Sequence, residues 1–495
     1  MKETIIRPLK GKSSLSVLWL ISTFSLCVIF VLASVPAAEA QGRDQEARRY
    51  TSVIQNVFDF IQQHYVETVD PQVLFEGAMS GMFNALGDPY SAFLPEKEMA
   101  SLNETTQGSF GGVGLYISKP IGDQAGGPPP YVEVASPIED TPGWRAGISP
   151  GDLIIKINDE STDVLTMDEV LARLRGTPGV AVNLIIRRGA KLEFPVTLIR
   201  AVIEVPTVKY AMIGDIGYVR IITFTPMTVE RTREALEHFK TENARSLVVD
   251  LRNNYGGLLQ SAVGVCDLFL DGGVVVSTRS RIPGENAVFN ARKATAIPTA
   301  MPIVTLINRG SASASEIVAG ALKDRGRAYL VGEKSFGKGS VQQVYPLEKA
   351  GFKITTARYY TPSEVNIDQI GIPPDREILF PEFSDAEAEK LNALITENRI
   401  PAFVEANPQA ASAAVEAFVR QLNQEYQLDL ALLRRLVRNE QNRTLIAPVY
   451  DLEYDVQLQE AVNILRNGDY GRLMQTTKTL KDLQNEAITE DARAS

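Results

Sequence analysis

Between residues 201 and 380, short apolar runs alternate with amphipathic segments, and this alternation constrains the fold more than any other feature of the chain. Ser246–Asp250 and Ile303–Ile307 are apolar almost throughout, so each reads as a strand buried on both faces. Residues 217–222, 328–331 and 353–360 read as further strands, and residues 228–243 and 312–323 as helices. Strands and helices in turn predict an α/β layer.

The flanks differ. Residues 45–103 read as helical, with Ile54, Val57, Phe58, Ile61 and Tyr65 on one helix face and a second helix over 74–86 closed by Gly87-Asp88-Pro89. Residues 107–200 are glycine-rich and strand-rich. Strands are predicted over 115–117, 131–135, 153–158, 180–187 and Leu192–Ile199, with a helix over Met167–Leu174, a loop tip at 126–130 and a turn-rich link at 143–151. A small β module with two short helices results. Residues 385–495 return to helical spacing, as in Val415, Phe418, Val419, Leu422 and Tyr426, and fray from about residue 485.

Composition removes several chemistries. The chain has 495 residues, enough for about three domains. Its net charge of −10 argues against nucleic acid as a partner, because phosphate binding needs a basic surface. Two histidines, His64 and His238, cannot make a three-His zinc site, although either could serve as one base. Two cysteines, Cys27 and Cys266, exclude a disulfide framework, a CxxC pair and a four-Cys zinc site. Neither a metal nor another cofactor is expected.

The N-terminus reads as an export signal. Lys2, Arg7, Lys10 and Lys12 stand against Glu3, an apolar run covers 15–35, and Ala38-Glu39-Ala40 forms a small-x-small site before Gln41. The run approaches the roughly 20 residues that span a bilayer, so an uncleaved inner-membrane anchor stays open beside cleavage. Leu26 before Cys27 argues against lipidation. Removing residues 1–40 leaves a charge of −12 and Cys266 as the sole cysteine, which fits a periplasm where disulfides are optional.

Three segments carry candidate chemistry. Asn308-Arg309-Gly310-Ser311-Ala312-Ser313-Ala314-Ser315-Glu316 follows a strand and opens a helix, where an exposed nucleophile can meet unpaired backbone N–H groups. Ser313-x-x-Glu316 is equally a capping box. With no histidine after His238, the base for a serine is sought among lysines, and Lys338 lies in Ser335-Phe336-Gly337-Lys338-Gly339-Ser340-Val341-Gln342. A neutral lysine at pH 7 needs a pKa about three units below 10.4, or about 4 kcal/mol, which burial can supply. Phe336 and Val341 are compatible with such burial. The phosphate-loop pattern is absent, since Gly339 follows Lys338. Gln342 could orient the amine, but four strand residues span about 13 Å, so the pairing needs a bend near Gly339. The third segment, Asp250-Leu251-Arg252-Asn253-Asn254-Tyr255-Gly256-Gly257, offers glycine N–H groups at a strand end.

Together these segments resemble the carboxyl-terminal processing proteases, the tail-specific serine protease family with a PDZ domain. Phe110-Gly111-Gly112-Val113-Gly114-Leu115 resembles that family's carboxylate-binding loop, and Ala357-Arg358-Tyr359-Tyr360-Thr361-Pro362-Ser363 and Gly371-Ile372-Pro373-Pro374-Asp375 match its later motifs. The resemblance covers about residues 50–380. It implies an α/β multidomain chain: a signal at 1–40, a helical region at 41–106, a β-rich PDZ domain at 107–200, a Clp-protease/crotonase-like serine protease core at 201–384 and a helical region at 385–495.

It further implies that Ser313 is the nucleophile, Lys338 the general base and Gln342 its orienting partner. Ala314 and either Gly256 or Gly257 become oxyanion donors. Gly112, Val113, Gly114 and Leu115 become the loop that captures the C-terminus of a protein or peptide substrate. An adaptor or activating protein and self-association through the C-terminal helices are further partners suggested by the family. Tyr255 stands where the family often has proline, and Glu364-Val365 where it often has Gly-Arg; both border the expected substrate groove. The rival from another class is a non-catalytic periplasmic PDZ scaffold. A Ser-x-x-Lys hydrolase is disfavoured by Glu316, which stands where that lysine would be.

Overall fold

The computed structural model describes residues 45–119, 131–138, 140–189, 191–380, 383–408, 410–442 and 448–494. The expected signal, Cys27 and the loop tip at 126–130 lie outside these residues. The chain divides into two compact units, Met1–Phe93 and Leu94–Ser495.

In the first unit, helix α1 (45–64) is followed by α2 (Pro71–Asn84). Helix α2 starts earlier than the spacing suggests because Asp70 caps the Gln72 N–H and Pro71 fits the first turn. The stripe residues Ile54, Val57 and Tyr65 are exposed. A short strand, β1 (Ala92–Leu94), interrupts what reads as continuous helix, and α3 (Glu96–Gln107) then opens the second unit.

The β module carries strands β2 (Ser109–Gly112), β3 (Leu115–Ser118) and β4 (Val132–Pro137), helix α4 (Pro142–Arg145), strands β5 (Leu153–Ile157) and β6 (Glu160–Ser161), helix α5 (Met167–Leu174), and strands β7 (Ala181–Arg188), β8 (Leu192–Ile199) and β9 (Ala201–Glu204). Its sheet runs β3-β4-β5-β7-β8, with β6 on β5. The entry strand β2 pairs antiparallel with the exit strand β9, so the module leaves the chain where it joined it. Val132, Val134, Ile154, Ile157, Val170, Val182, Leu184 and Ile186 form its own buried core.

The rest of the unit is the α/β layer. It comprises β10 (Val208–Ile213), β11 (Ile216–Ile221), α6 (Thr228–Thr241), β12 (Ser246–Asp250), α7 (Leu259–Phe269), β13 (Gly273–Ser280), β14 (Ala287–Ala291), β15 (Ile303–Ile307), α8 (Ala314–Asp324), β16 (Tyr329–Gly332), β17 (Ser340–Leu347), β18 (Ala350–Tyr360) and β19 (Arg376–Glu377). The main sheet runs β10-β11-β12-β15-β16-β19, parallel except for β10. A second, antiparallel sheet contains β14, β13, β18 and β17.

Alternation along the central strands sends side chains to two separate cores. Leu247, Val249, Ile303 and Ile307 join the core that includes α6, α7 and α8, whereas Val248, Val304 and Leu306 join the opposite one. That is why these runs are apolar almost throughout. The second core is closed by α13 (Val456–Arg466), through Leu458, Ala461, Val462 and Ile464.

The helical C-terminus therefore does two jobs. Helices α9 (Asp385–Thr396), α10 (Arg399–Ala406), α11 (Ser412–Tyr426) and α12 (Leu430–Gln441) surround a core of their own, but α13 belongs to the α/β layer. After α14 (Tyr470–Met474), α15 (Leu480–Ala494) continues through the residues expected to fray, and Leu480 packs into the first core.

Candidate active site

The three loops that carry the candidate catalytic chemistry leave the C-terminal edge of the parallel strands, the edge where open α/β sheets bind ligands. The loop after β12 holds Arg252–Gly257, the loop after β15 holds Asn308–Ser313, and the loop after β16 leads through Lys338 into β17.

Three serines lie close together in the second loop, and packing separates them. The Ser311 hydroxyl donates to the Leu251 carbonyl at 2.9 Å, and the Ser315 hydroxyl donates to the Asn254 carbonyl at 2.8 Å. Both serines are fully buried. Ser313 stays partly accessible and adopts φ 55, ψ −113, a left-handed conformation that costs a non-glycine residue about 1–3 kcal/mol. A strained strand-to-helix turn of this kind projects a side chain out of the sheet edge. Helix α8 starts at Ala314 rather than 312, because residues 308–313 form this turn.

Glu316, fully buried on the first turn of α8, organises the surroundings. Its Oε1 accepts from the Ser335 hydroxyl (2.6 Å) and the Gly337 N–H (2.7 Å). Its Oε2 accepts from the Ser313 N–H (2.8 Å) and the Lys338 N–H (2.9 Å). The main chains of Ser313 and Lys338 thus meet on one oxygen, and their nitrogens are no farther apart than those two bonds laid end to end. Burial pushes the Glu316 carboxyl above its ordinary range, against the pull of the four hydrogen bonds. The Ser335 hydroxyl accepts the Ile372 N–H, so its own proton goes to Glu316. From the sequence this glutamate reads as a helix cap. Its larger role depends on residues about twenty positions away.

Lys338 follows Gly337, whose φ of 92 turns the chain. A Cβ on Gly337 would come within 2.9 Å of the Gly371 nitrogen, so the turn needs glycine. Beyond this turn the β17–β18 pairing shifts register between Val341 and Gln342. The Gln342 amide nitrogen donates to Ser340 Oγ (2.9 Å) and Thr355 Oγ1 (3.1 Å), which fixes the amide plane. Phe336 is 56% exposed, so it does not help bury Lys338 as its apolar character suggests, while Val341 packs against the core. An open cleft of about 510 Å³ adjoins the loop, lined by Arg309, Lys334, Phe336, Ile370 and Leu379 among others.

The two glycines of the first loop are not equivalent. A Cβ on Gly256 would lie 2.8 Å from the Ala312 oxygen and 2.9 Å from Ser313 Cβ, so this backbone touches the serine turn. Its N–H, however, donates to Asn254 Oδ1 at 2.9 Å. The Gly257 and Ala314 N–H groups have no such acceptor among the described residues. Arg252 anchors the loop from below with paired bonds to Asp250 and Asp455. Burial alone would push the Asp250 carboxyl up, but the Arg252 guanidinium and the Tyr218 hydroxyl hold it below the ordinary aspartate range. Tyr255 is 79% exposed on the same loop. Glu364 sits at φ 64, a conformation that favours glycine, and Val365 is buried in the core rather than on the groove expected from the sequence.

In the β module, Val113 is buried and Gly114 has φ 75, with room for no Cβ because Thr141 Cβ would be 2.2 Å away. The Val113 and Gly114 carbonyls accept from Gly143 and Ile138. Their N–H groups have no acceptor among the described residues. Gly112 ends β2 and Leu115 begins β3.

His64 stacks on Phe60, and His238 is exposed near Tyr210. Cys266 is buried, which pushes its thiol up and leaves it inert. Among the described residues no group of three His, Cys, Asp or Glu could hold a metal ion, and no helix is long and apolar enough to cross a membrane.

Residues 215–378 match Peptidase family S41, residues 133–188 match the PDZ domain, and residues 31–98 match the activating protease CtpB N-terminal domain. A carboxy-terminal-processing protease of Bartonella bacilliformis is 38% identical over 361 residues, covering 71% of this chain and 81% of that protein. The chloroplastic carboxyl-terminal-processing peptidase 2 of Arabidopsis thaliana is also 38% identical, covering 61% of this chain and 60% of its own. A solved photosystem II D1 C-terminal processing protease is 28% identical, covering 66% of this chain and 92% of its own with a TM-score of 0.39.

Proposed function

The chain belongs to peptidase family S41, the C-terminal-processing proteases, and carries a PDZ domain; from that premise we propose that it is a serine endopeptidase cutting exported proteins at or near their C-termini through Ser313 and Lys338. The observation that carries this reading is the Glu316 carboxylate, which gathers the main chains of both residues on one oxygen. A scaffold has no need of that arrangement.

In the proposed reaction the neutral Lys338 amine takes the Ser313 hydroxyl proton as Oγ attacks the peptide carbonyl. Negative charge develops on the carbonyl oxygen and is met by the N–H groups of Ala314 and Gly257. Gly256 drops out as a donor, since its N–H is engaged by Asn254. Lys338 then passes its proton to the leaving amine, and an acyl-enzyme on Ser313 remains. Lys338 next draws a proton from water, which hydrolyses the ester. With both Gln342 N–H bonds spent on Ser340 and Thr355, its carbonyl oxygen is the group that can take a lysine N–H and orient the amine.

The substrate tail would add to β3 as a strand, its carboxylate on the N–H groups of the loop from Gly112 to Leu115. We place the domains at 41–106, 107–200, 201–384 and 385–495 after a signal at 1–40, and the protein in the periplasm. Self-association through α9–α12 and control by an activating partner complete the reading. The test is casein turnover by the purified chain and by Ser313→Ala and Lys338→Ala. Turnover by the parent and a fall of roughly 10⁵-fold or more in each variant is expected. Undiminished turnover by Ser313→Ala would sink the mechanism, and no turnover by any of the three would favour a scaffold.

A further inference from the structure

Tyr359 is fully buried on β18 and reaches both halves of the proposed dyad. Its backbone N–H donates to the Gly339 carbonyl (3.0 Å), next to Lys338. Its hydroxyl donates to the Ser313 carbonyl (3.2 Å). Asn366 fixes the same strand, because its amide nitrogen donates to the Tyr359 carbonyl (2.7 Å) and the Gly339 carbonyl (3.2 Å). The ring is thus a rigid rod with one end pinned beside the lysine and the other on the serine.

The Ser313 carbonyl does not need this bond to be satisfied. It already accepts the Glu316 and Ile317 N–H groups of α8, at 2.9 and 3.0 Å. The Tyr359 bond adds, from outside α8 and Glu316, a further restraint against relaxation of φ 55, ψ −113; a rotation of that peptide would swing Oγ away from the position the turn gives it. We propose that Tyr359 is a positioning residue, whose hydroxyl holds the strained Ser313 peptide in register with the Lys338 loop. This rests on Ser313 as nucleophile, and the experiment keeps the two claims separate.

Tyr359→Phe retains the ring and the backbone bond and deletes only the hydroxyl. Steady-state kinetics of the purified full chain on a fluorogenic peptide should give a kcat roughly tenfold lower, with KM within about twofold. The pH limbs of kcat/KM should not move, because the hydroxyl acts on a carbonyl and not on the base. The thermal midpoint should fall by no more than a few degrees. Tyr360→Phe, whose ring lies 4.1 Å under the Arg279 guanidinium, should keep parental kcat. Parental kcat in Tyr359→Phe, an equal loss in both variants, a shifted pH limb, or a large loss of stability each overturns the inference. Ser313→Ala run alongside distinguishes the claims: activity there fells the mechanism itself, whereas an inactive Ser313→Ala beside a fully active Tyr359→Phe fells only the role of the tyrosine.

Discussion

Two places in the molecule present backbone N–H groups that have no acceptor among the described residues; each is proposed to receive an anion, and they are built differently. In the β module, Val113 and Gly114 present theirs from a loop held by two carbonyl bonds and by Thr141 packed on Gly114. In the α/β layer, Gly257 and Ala314 present theirs from two segments joined by the bonds that Ser315 Oγ and the Ala312 N–H donate to the Asn254 carbonyl and by the exposed Asn253–Asn308 pair. A carboxylate at the end of a chain is charged before it binds, and a shallow cradle suffices to hold it. An oxyanion exists only near the transition state, so its donors must already be in place at the moment of reaction. In the proposed roles, it is the second site whose loops must be tied together before the charge appears.

The contrast breaks first at Glu316. Glu316→Gln keeps the shape but turns one acceptor into an NH₂ facing N–H donors, so at least two of its four bonds are lost. We expect kcat to fall roughly 10²-fold and stability to fall by about 2–3 kcal/mol, read from kinetics and denaturant titration. A variant with parental kcat would show that the gathering of Ser313 and Lys338 does not matter to turnover.

A smaller effect belongs to the module. Peptides with an amidated C-terminus should show a KM about tenfold higher than their free-acid counterparts, with kcat within about twofold. Gly114→Ala should remove this preference, because its Cβ cannot fit beside Thr141. Equal KM for both peptides would mean that the loop does not read the terminal carboxylate.

Much of this was legible in the sequence where local pattern decides structure. Ser246–Asp250 and Ile303–Ile307 are found as the apolar runs predict, and the helix expected over Met167–Leu174 is found with the same bounds. Helix α7 was not expected: it is apolar on most sides, with Gly264 against Val229, and so lacks the one-sided stripe that marks a helix. Strand β17 was hidden by its polar face and by Pro346. The site divides in the same way. The resemblance singles out Ser313 and Lys338, but spacing alone does not separate the three serines; the physical reason lies about sixty residues away, where the Leu251 and Asn254 carbonyls take the Ser311 and Ser315 hydroxyls. The proposed preference for Gly257 over Gly256 likewise rests on one side-chain bond, from the Gly256 N–H to Asn254.

The central claim is that Ser313 forms a covalent acyl intermediate. The most direct measurement is rapid mixing of the purified chain with a peptide p-nitrophenyl ester, followed by intact-mass and peptide mapping. We expect a nitrophenol burst matching the enzyme concentration, with the acyl mass on Ser313 and no burst in Ser313→Ala. An acyl group mapped to another residue, or a burst that persists in Ser313→Ala, would contradict the account.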